Sequence, residues 1–205
     1  MKKLLFKGIF LSSLMYFISS CNGDSSSDTS TADSTDTAGM TAQSPQSSTS
    51  MPSDDDVKFA KAAADGGMME VELGKLALTK ATSPMVKQHA QMMVDDHGKA
   101  NGELKSLAAT KNIMLPDSMS ADHKKAYDDL AKKKGKDFDK AYTDMMVDDH
   151  KKDVDEFKDQ ANKGTDSDLK AWASGKVPIL EQHLQAWQMT KDGGKMKMSN
   201  DSPKK

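Results

Sequence analysis

The 205-residue chain contains no arginine, so every one of its 29 basic residues is a lysine. Arginine is the side chain best suited to paired hydrogen bonds with phosphates and base edges. The chain also has no glycine-rich phosphate loop, and its formal net charge is only −2. These features argue against a nucleic-acid-binding protein, and we expect no nucleic acid among the partners.

Cys21 is the only cysteine, so an intrachain disulfide is excluded. Cys21 follows a short basic segment at residues 1–3 and an apolar segment at residues 8–18 that is too short to span a membrane. Residues 18–21, ISSC, resemble a bacterial lipobox, in which the cysteine is lipidated. We predict a lipoprotein signal peptide at residues 1–20 and a lipid anchor at Cys21; an ordinary secretory signal is the alternative.

This anchor would place the protein in the cell envelope. Asn22, rather than aspartate, follows Cys21 and favours the outer membrane, with the body in the periplasm or at the cell surface. The expected partners are the membrane, through the anchor, and an envelope protein.

Hydrophobic residues make up only 36% of the chain, and the deficit is concentrated at the two ends. Residues 21–53 are almost entirely small and polar, so they cannot bury enough apolar surface to fold. We predict a disordered tether at residues 21–53, a folded body at residues 54–191 and a flexible tail at residues 192–205.

The body contains an internal repeat. The six residues MMVDDH occur at residues 92–97 and again at 145–150, and residues 87–108 align without a gap on residues 140–161. Both copies lie within apolar patterns of helical spacing. The repeat predicts two equivalent helices of one bundle, each with a histidine at the same depth.

Apolar periodicity and end signals predict long helices at residues 55–80, 84–111, 137–162 and 167–191, with a shorter helix at residues 120–133. Pro178 should kink or split the last helix. Two short connections and one long middle connection favour an all-α, ferritin-like four-helix bundle with one crossover. An up-and-down bundle with a decorated loop is the alternative.

Polar side chains interrupt the apolar face of each long helix. Glu70 and His97 are equidistant from the first predicted turn, and His150 and His183 are equidistant from the last one. In an antiparallel hairpin, such residues lie at the same height. These four residues therefore predict a site with one carboxylate and three imidazoles, which would suit Fe, Zn, Cu or Mn.

Residues beside these histidines extend the pattern. Asp96 and Asp149, each one position before a histidine, could accept hydrogen bonds from the imidazoles. Met93 and Met146 lie one helical turn before the repeated histidines, and their soft thioethers would suit copper, although methionine is more often a core residue.

The same residues also fit other interpretations. They could form a buried polar layer of a structural or interaction module, or surround haem or another ligand. A di-iron enzyme is not favoured, because Val94 and Val147 stand where Glu-x-x-His motifs need glutamate. The sequence thus favours a non-enzymatic role. His89 and His123 are expected to face solvent.

Four short segments carry a resemblance to a known family: EVELG at residues 70–74, VK at 86–87, FDKAY at 138–142 and LEQH at 180–183. Together with the repeat, they are similar to a family of bacterial exported proteins of unknown function, which are labelled outer-membrane proteins. The resemblance implies a ferritin-like four-helix bundle in the cell envelope and brings no established activity.

Overall fold

The computed structural model describes residues 51–193, which contain five α-helices and no β-strand. The helices are α1 (Asp54–Lys80), α2 (Pro84–Thr110), α3 (Ala121–Ala131), α4 (Gly135–Lys163) and α5 (Ser167–Lys191). The all-α prediction is confirmed. The predicted leader, Cys21, nearly all of the tether and most of the tail lie outside the described residues. Within residues 51–193, no helix combines the length and apolar character that a membrane crossing requires.

Local sequence signals explain where the long helices begin. Ser53 caps α1 in a capping box with Asp56, and each residue's side chain bonds the other's backbone N–H. Ser83 caps α2, and the following proline occupies the first turn, where its missing N–H costs nothing. Asp166 caps α5 by accepting two backbone N–H groups.

Contacts at the two ends of the bundle determine the direction of each helix. The backbone N–H of Ser83, at the start of α2, donates to Asp139 near the start of α4 (2.9 Å). Lys111, directly after α2, forms an ion pair with Asp166, directly before α5 (2.8 Å). Helices α2 and α4 therefore start at the same end and run parallel. The connection between them must return along the bundle, which is the predicted one-crossover topology.

The crossover carries α3 along its path. The backbone N–H of Ser120, the residue that caps α3, donates to Asp65 of α1 (2.7 Å), and Leu130 of α3 is buried. A glycine after the helix predicted at residues 120–133 suggests that Gly135 ends it, but Gly135 instead begins α4, with a positive φ of 54°. Glycine tolerates this conformation without a Cβ penalty.

Apolar residues at helical spacing predict the buried faces of α2 and α4 correctly, but not the start of α1. There the spacing predicts that Phe59, Ala63 and Gly66 face inward, whereas the buried positions are one residue later, at Ala60, Ala64 and Gly67. Helix α1 packs on α2, α3 and α4, so its buried face is broader than one stripe.

Helix α5 continues through Pro178 as one helix, so of the two predicted effects of this proline the split does not occur. Helical spacing also predicts that Ile179 faces inward, but it is 37% exposed, and its neighbour Leu180 is buried instead. Leu180 is seven residues from both Ala173 and Trp187, which is two helical turns, so these three residues share the buried face.

Candidate metal centre

The three histidines of the predicted site meet in the bundle interior. His97 comes from α2, His150 from α4 and His183 from α5, and their exposed fractions are 7%, 0% and 1%. Their ring centroids are 5.3–5.4 Å apart in all three pairs. The rings thus form a nearly equilateral triangle at one level of the bundle.

The two hairpins produce this arrangement in the way that their turns predict. Nδ1 of His97 lies 2.6 Å from Oε2 of Glu70, across the α1–α2 hairpin. Nε2 of His150 lies 3.3 Å from Nδ1 of His183, across the α4–α5 hairpin. Residues equidistant from each turn are therefore in direct contact, and the parallel α2 and α4 bring the two pairs together.

Each imidazole has one ring nitrogen that is held by a hydrogen-bond acceptor. Nδ1 of His150 faces the backbone carbonyl oxygen of Met146 (2.9 Å), which can only accept, so this nitrogen carries the proton. Nε2 of His183 lies 2.9 Å from a carboxylate oxygen of Asp96, and Nδ1 of His97 faces Glu70. Metal-binding histidines are typically oriented in this way, by a carboxylate or carbonyl acceptor behind the ring.

The remaining ring nitrogens, which have no acceptor behind them, carry the lone pairs. Nε2 of His97 is buried and has no hydrogen-bond partner within residues 51–193. Nε2 of His150 and Nδ1 of His183 face each other without a proton between them when both outer nitrogens are protonated. One ring nitrogen from each histidine lies within 4.8 Å of the others. Two imidazole ligands of a tetrahedral metal at 2.0–2.1 Å would be separated by roughly 3.3 Å, as His150 and His183 are.

Burial keeps all three imidazoles in the neutral form that metal coordination requires. Desolvation lowers the pKa of His97 to about 4. Desolvation also lowers the pKa of His150 well below its usual range, and the neighbouring His97 and His183 act in the same direction. The pKa of His183 is lowered for the same primary reason, although its hydrogen bond to Asp96 opposes the shift.

Glu70, the predicted fourth ligand, lies beside this triangle. Its Oε2 contacts the outer nitrogen of His97, on the side of the ring away from Nε2. It also belongs to a second group of potential ligands, with His150 and a residue that the sequence interpretation overlooked, Asp153. Asp153 lies three residues after His150, on the same helical face, and this spacing could have revealed it.

The four residues predicted to support the site behave differently from one another. Asp96 bonds His183 as expected, but the buried Oδ2 of Asp149 has no hydrogen-bond partner in the described part of the chain. The sulfur of Met93 accepts a hydrogen bond from the Trp187 indole (3.4 Å). Met146 contributes its carbonyl oxygen to His150, while its side chain packs in the apolar core.

A cleft with a volume of about 100 Å³ leads from the surface to this centre. Its polar wall includes Asp96, His97, His183 and Asp153, and Lys176 also lines it. Ions and water could therefore reach one side of the histidine triangle.

The two other histidines lie away from the triangle, although neither faces solvent as fully as expected. His89 is half-buried, stacks edge-on against Trp187 and contacts the hydroxyl of Thr190 (3.0 Å). His123 is also half-buried and pairs with Asp65 (3.1 Å). Both gain these contacts because α5 and α1 pass close to them.

The fold and the site define a helical bundle with a buried cluster of three histidines. The chain belongs to a family described as a domain of unknown function, DUF4142, whose model matches residues 41–190. This agrees with the resemblance to exported proteins of unknown function. Among curated proteins, none matches the chain.

Three solved structures share the fold. A DUF305 fragment from Deinococcus radiodurans is 9% identical, with a TM-score of 0.62, and the match covers 70% of this chain and 99% of that one. CopM in its Cu(I)-bound form is 15% identical, with a TM-score of 0.58, and the match covers 69% of this chain and 98% of CopM. CopM in its Cu(II)-bound form gives the same identity and TM-score, with coverage of 68% and 97%. At these identities, the likeness shows the fold alone.

Proposed function

We propose that this protein binds one transition-metal ion through Nε2 of His97, Nε2 of His150 and Nδ1 of His183. The observation that carries the proposal is the hydrogen-bond pattern of the three rings. Each outer nitrogen faces an acceptor, so each inner nitrogen keeps a lone pair, and one nitrogen from each ring lies within 4.8 Å of the other two, around one buried point. A cation at this point would remove the repulsion between the lone pairs and occupy the unpartnered Nε2 of His97.

In this proposal, Glu70 supports the metal through His97 and does not coordinate it. Its Oε2 accepts the Nδ1 proton of His97 at 2.6 Å, which fixes the tautomer and the orientation of the ring. Asp96 does the same for His183, and the carbonyl of Met146 does so for His150. The site has three protein ligands and a cleft beside it, so water could complete the coordination.

Copper or zinc fits this donor set best among the four metals considered. Imidazole nitrogens suit both ions, and Cu²⁺ binds most strongly in the divalent series. CopM, which shares the fold, has been solved in Cu(I)- and Cu(II)-bound forms, and this also favours copper. The Met93 sulfur is engaged by Trp187, so a soft thioether ligand does not add to the site.

Metal uptake by the full-length mature protein tests the proposal. We expect about one Cu²⁺ or Zn²⁺ per chain in a calorimetric titration, confirmed by metal analysis after dialysis. His97→Ala, His150→Ala and His183→Ala should each weaken binding at least tenfold. His89→Ala and His123→Ala are matched controls, because these histidines lie outside the triangle, and they should bind as the wild type does. Absence of stoichiometric metal in the wild type would falsify the proposal.

A buried polar layer is the second candidate, and the three satisfied outer nitrogens favour it. In that case, the histidine variants would lose thermal stability with no change in metal content, and the bundle would serve as a structural or interaction module for an envelope partner. The titration and a melting curve on the same samples separate the two functions.

We further propose that the protein is anchored in the cell envelope through Cys21 and that its bound metal serves storage, buffering or stress protection there. The basic and apolar leader and the ISSC segment at residues 18–21 support the anchor. Metabolic labelling with a radioactive fatty acid should label the wild-type protein but not Cys21→Ser. Equal labelling of both proteins would contradict the anchor, without affecting the metal proposal.

A further inference from the structure

Three carboxyl groups lie near one another beside the histidine triangle, Glu70 on α1 and Asp149 and Asp153 on α4. Glu70 is 2% exposed, and its Oε1 has no hydrogen-bond partner within residues 51–193. The buried Oδ2 of Asp149 also has none. No lysine of the described helices forms an ion pair with Glu70, Asp149 or Asp153, although ion pairs are frequent on the bundle surface. Buried carboxylates are costly unless a cation or a proton accompanies them.

Two of these groups, Glu70 and Asp153, belong to a cluster of potential ligands. Ligand atoms of Glu70, Asp153 and His150 lie within 4.8 Å of one another. Because Nδ1 of His150 is hydrogen-bonded to a backbone carbonyl, the carboxylates are the available donors. Oε2 of Glu70 is occupied by His97, whereas Oε1 is free and lies 3.5 Å from His150. Asp153 and Glu70 both line the cleft, so water can reach them.

The internal repeat departs from its symmetry at this point. The position three residues after the repeated histidine is Ala100 on α2 but Asp153 on α4. Both residues line the cleft. Only α4 therefore adds a carboxylate beside Glu70, while the small side chain on α2 leaves space for the cleft. The asymmetry marks one side of the triangle as rich in oxygen ligands.

We propose that Glu70 and Asp153 hold a second divalent cation, of the oxygen-preferring class of Mn²⁺, with water from the cleft as its other ligands. Carboxylates and water suit such hard ions, whereas the three imidazoles suit copper or zinc. Glu70 would then connect the two positions, since one oxygen accepts the His97 proton and the other binds the second cation. The proposal extends the proposed function, but its carboxylate ligands are distinct from the three imidazoles.

A titration with Mn²⁺ tests this second position. Full-length mature protein is first loaded with one equivalent of Zn²⁺, and free Mn²⁺ is then followed by its electron paramagnetic resonance signal. We expect the wild type to bind one Mn²⁺ per chain. Asp153→Asn should weaken Mn²⁺ binding at least tenfold, and Asp155→Asn, an exposed carboxylate on the same helix, should leave it unchanged.

Glu70→Gln is a second variant in case Asp153→Asn folds poorly, and it should also lose Mn²⁺. Zinc content is measured on every sample, so the two positions are judged separately. If the wild type takes up Mn²⁺ but no Zn²⁺, the three-histidine site fails and the carboxylate site stands. The second position is overturned if the wild type binds no Mn²⁺, or if both variants bind it as tightly as the wild type does.

Discussion

Nε2 of His150 lies 3.3 Å from Nδ1 of His183, and the outer nitrogen of each ring faces an acceptor. Without a cation, two lone pairs face each other in a buried site, which is unfavourable. A metal ion between these two nitrogens, as we propose, would remove this unfavourable contact.

This relationship predicts an unusual response to His150→Leu. Leucine has a similar volume and no lone pair. Without metal, the free energy of unfolding of the variant should therefore be less than about 1.5 kcal/mol below that of the wild type, or above it. Stabilisation by added Cu²⁺ or Zn²⁺ should be lost. Thermal melts with and without metal provide the measurement. A strongly destabilised metal-free variant would instead indicate a structural polar layer.

Asp96 should affect metal binding through His183 without touching the metal. Its carboxylate holds Nε2 of His183 at 2.9 Å, and removal of such a partner typically weakens metal binding by about 10- to 100-fold. We expect this loss for Asp96→Ala in a competition titration with a chelator. Asp95→Ala, one position earlier and bonded only to Gln91, is the control. Equal affinities of the two variants would exclude the positioning role.

Gly74 and Gly66 should respond in opposite ways to substitution by alanine. A Cβ at Gly74 would lie 2.9 Å from Val94 and 3.0 Å from the backbone oxygen of Ala90, so α1 and α2 would have to separate. We expect Gly74→Ala to lower the free energy of unfolding by about 1–3 kcal/mol. A Cβ at Gly66 meets nothing within 4 Å, so Gly66→Ala should raise the free energy of unfolding by at most about 1 kcal/mol. Urea unfolding measures both; destabilisation by both variants to the same extent would contradict the packing.

Asp56 links the start of α1 to the α4–α5 turn. Its carboxylate accepts hydrogen bonds from Ser53, Gln160 and Thr165, and from the backbone of Asp166. Burial acts to raise the pKa of Asp56, but the hydrogen bonds from Thr165, Gln160 and Ser53 together outweigh it and lower the pKa below its usual range.

Because the folded-state pKa of Asp56 is depressed, its stabilisation is present above the unfolded-state value of about 3.9 and is lost as pH falls towards the folded-state value. Asp56→Asn should therefore lower the free energy of unfolding by about 2–4 kcal/mol at pH 7. Below about pH 4, the difference in this free energy between variant and wild type should shrink. Urea unfolding at several pH values measures it, with the exposed Asp54→Asn as control. A difference independent of pH would contradict the assignment.

Predictions from the sequence were most accurate where a short turn or the internal repeat determines how neighbouring helices pair. Equal distances from the turns predicted that Glu70 meets His97 and that His150 meets His183, and the repeat predicted the common depth of the two hairpins. These inferences depend only on hairpin geometry. The helix directions also followed from connection lengths, because a short connection forces neighbouring helices to be antiparallel.

Other features depend on tertiary packing and could not be obtained in this way. The role of Glu70 depends on which oxygen faces which ring, and that is decided by rotamers across the α1–α2 seam. In the sequence, Asp153 resembles the many exposed acidic residues of α4, and its proximity to Glu70 of α1 exists only in the folded bundle. Likewise, the burial of Leu180 in place of Ile179 depends on the rotation of α5 against its neighbours.

X-ray absorption spectroscopy of the copper-loaded protein tests the central claim most directly, because it counts the imidazoles around the ion. We predict three imidazole ligands at about 2.0 Å in the wild type, and two in His183→Ala if that variant retains copper. A spectrum with no imidazole scattering, or one that is identical in the wild type and in His183→Ala, would contradict the three-histidine site.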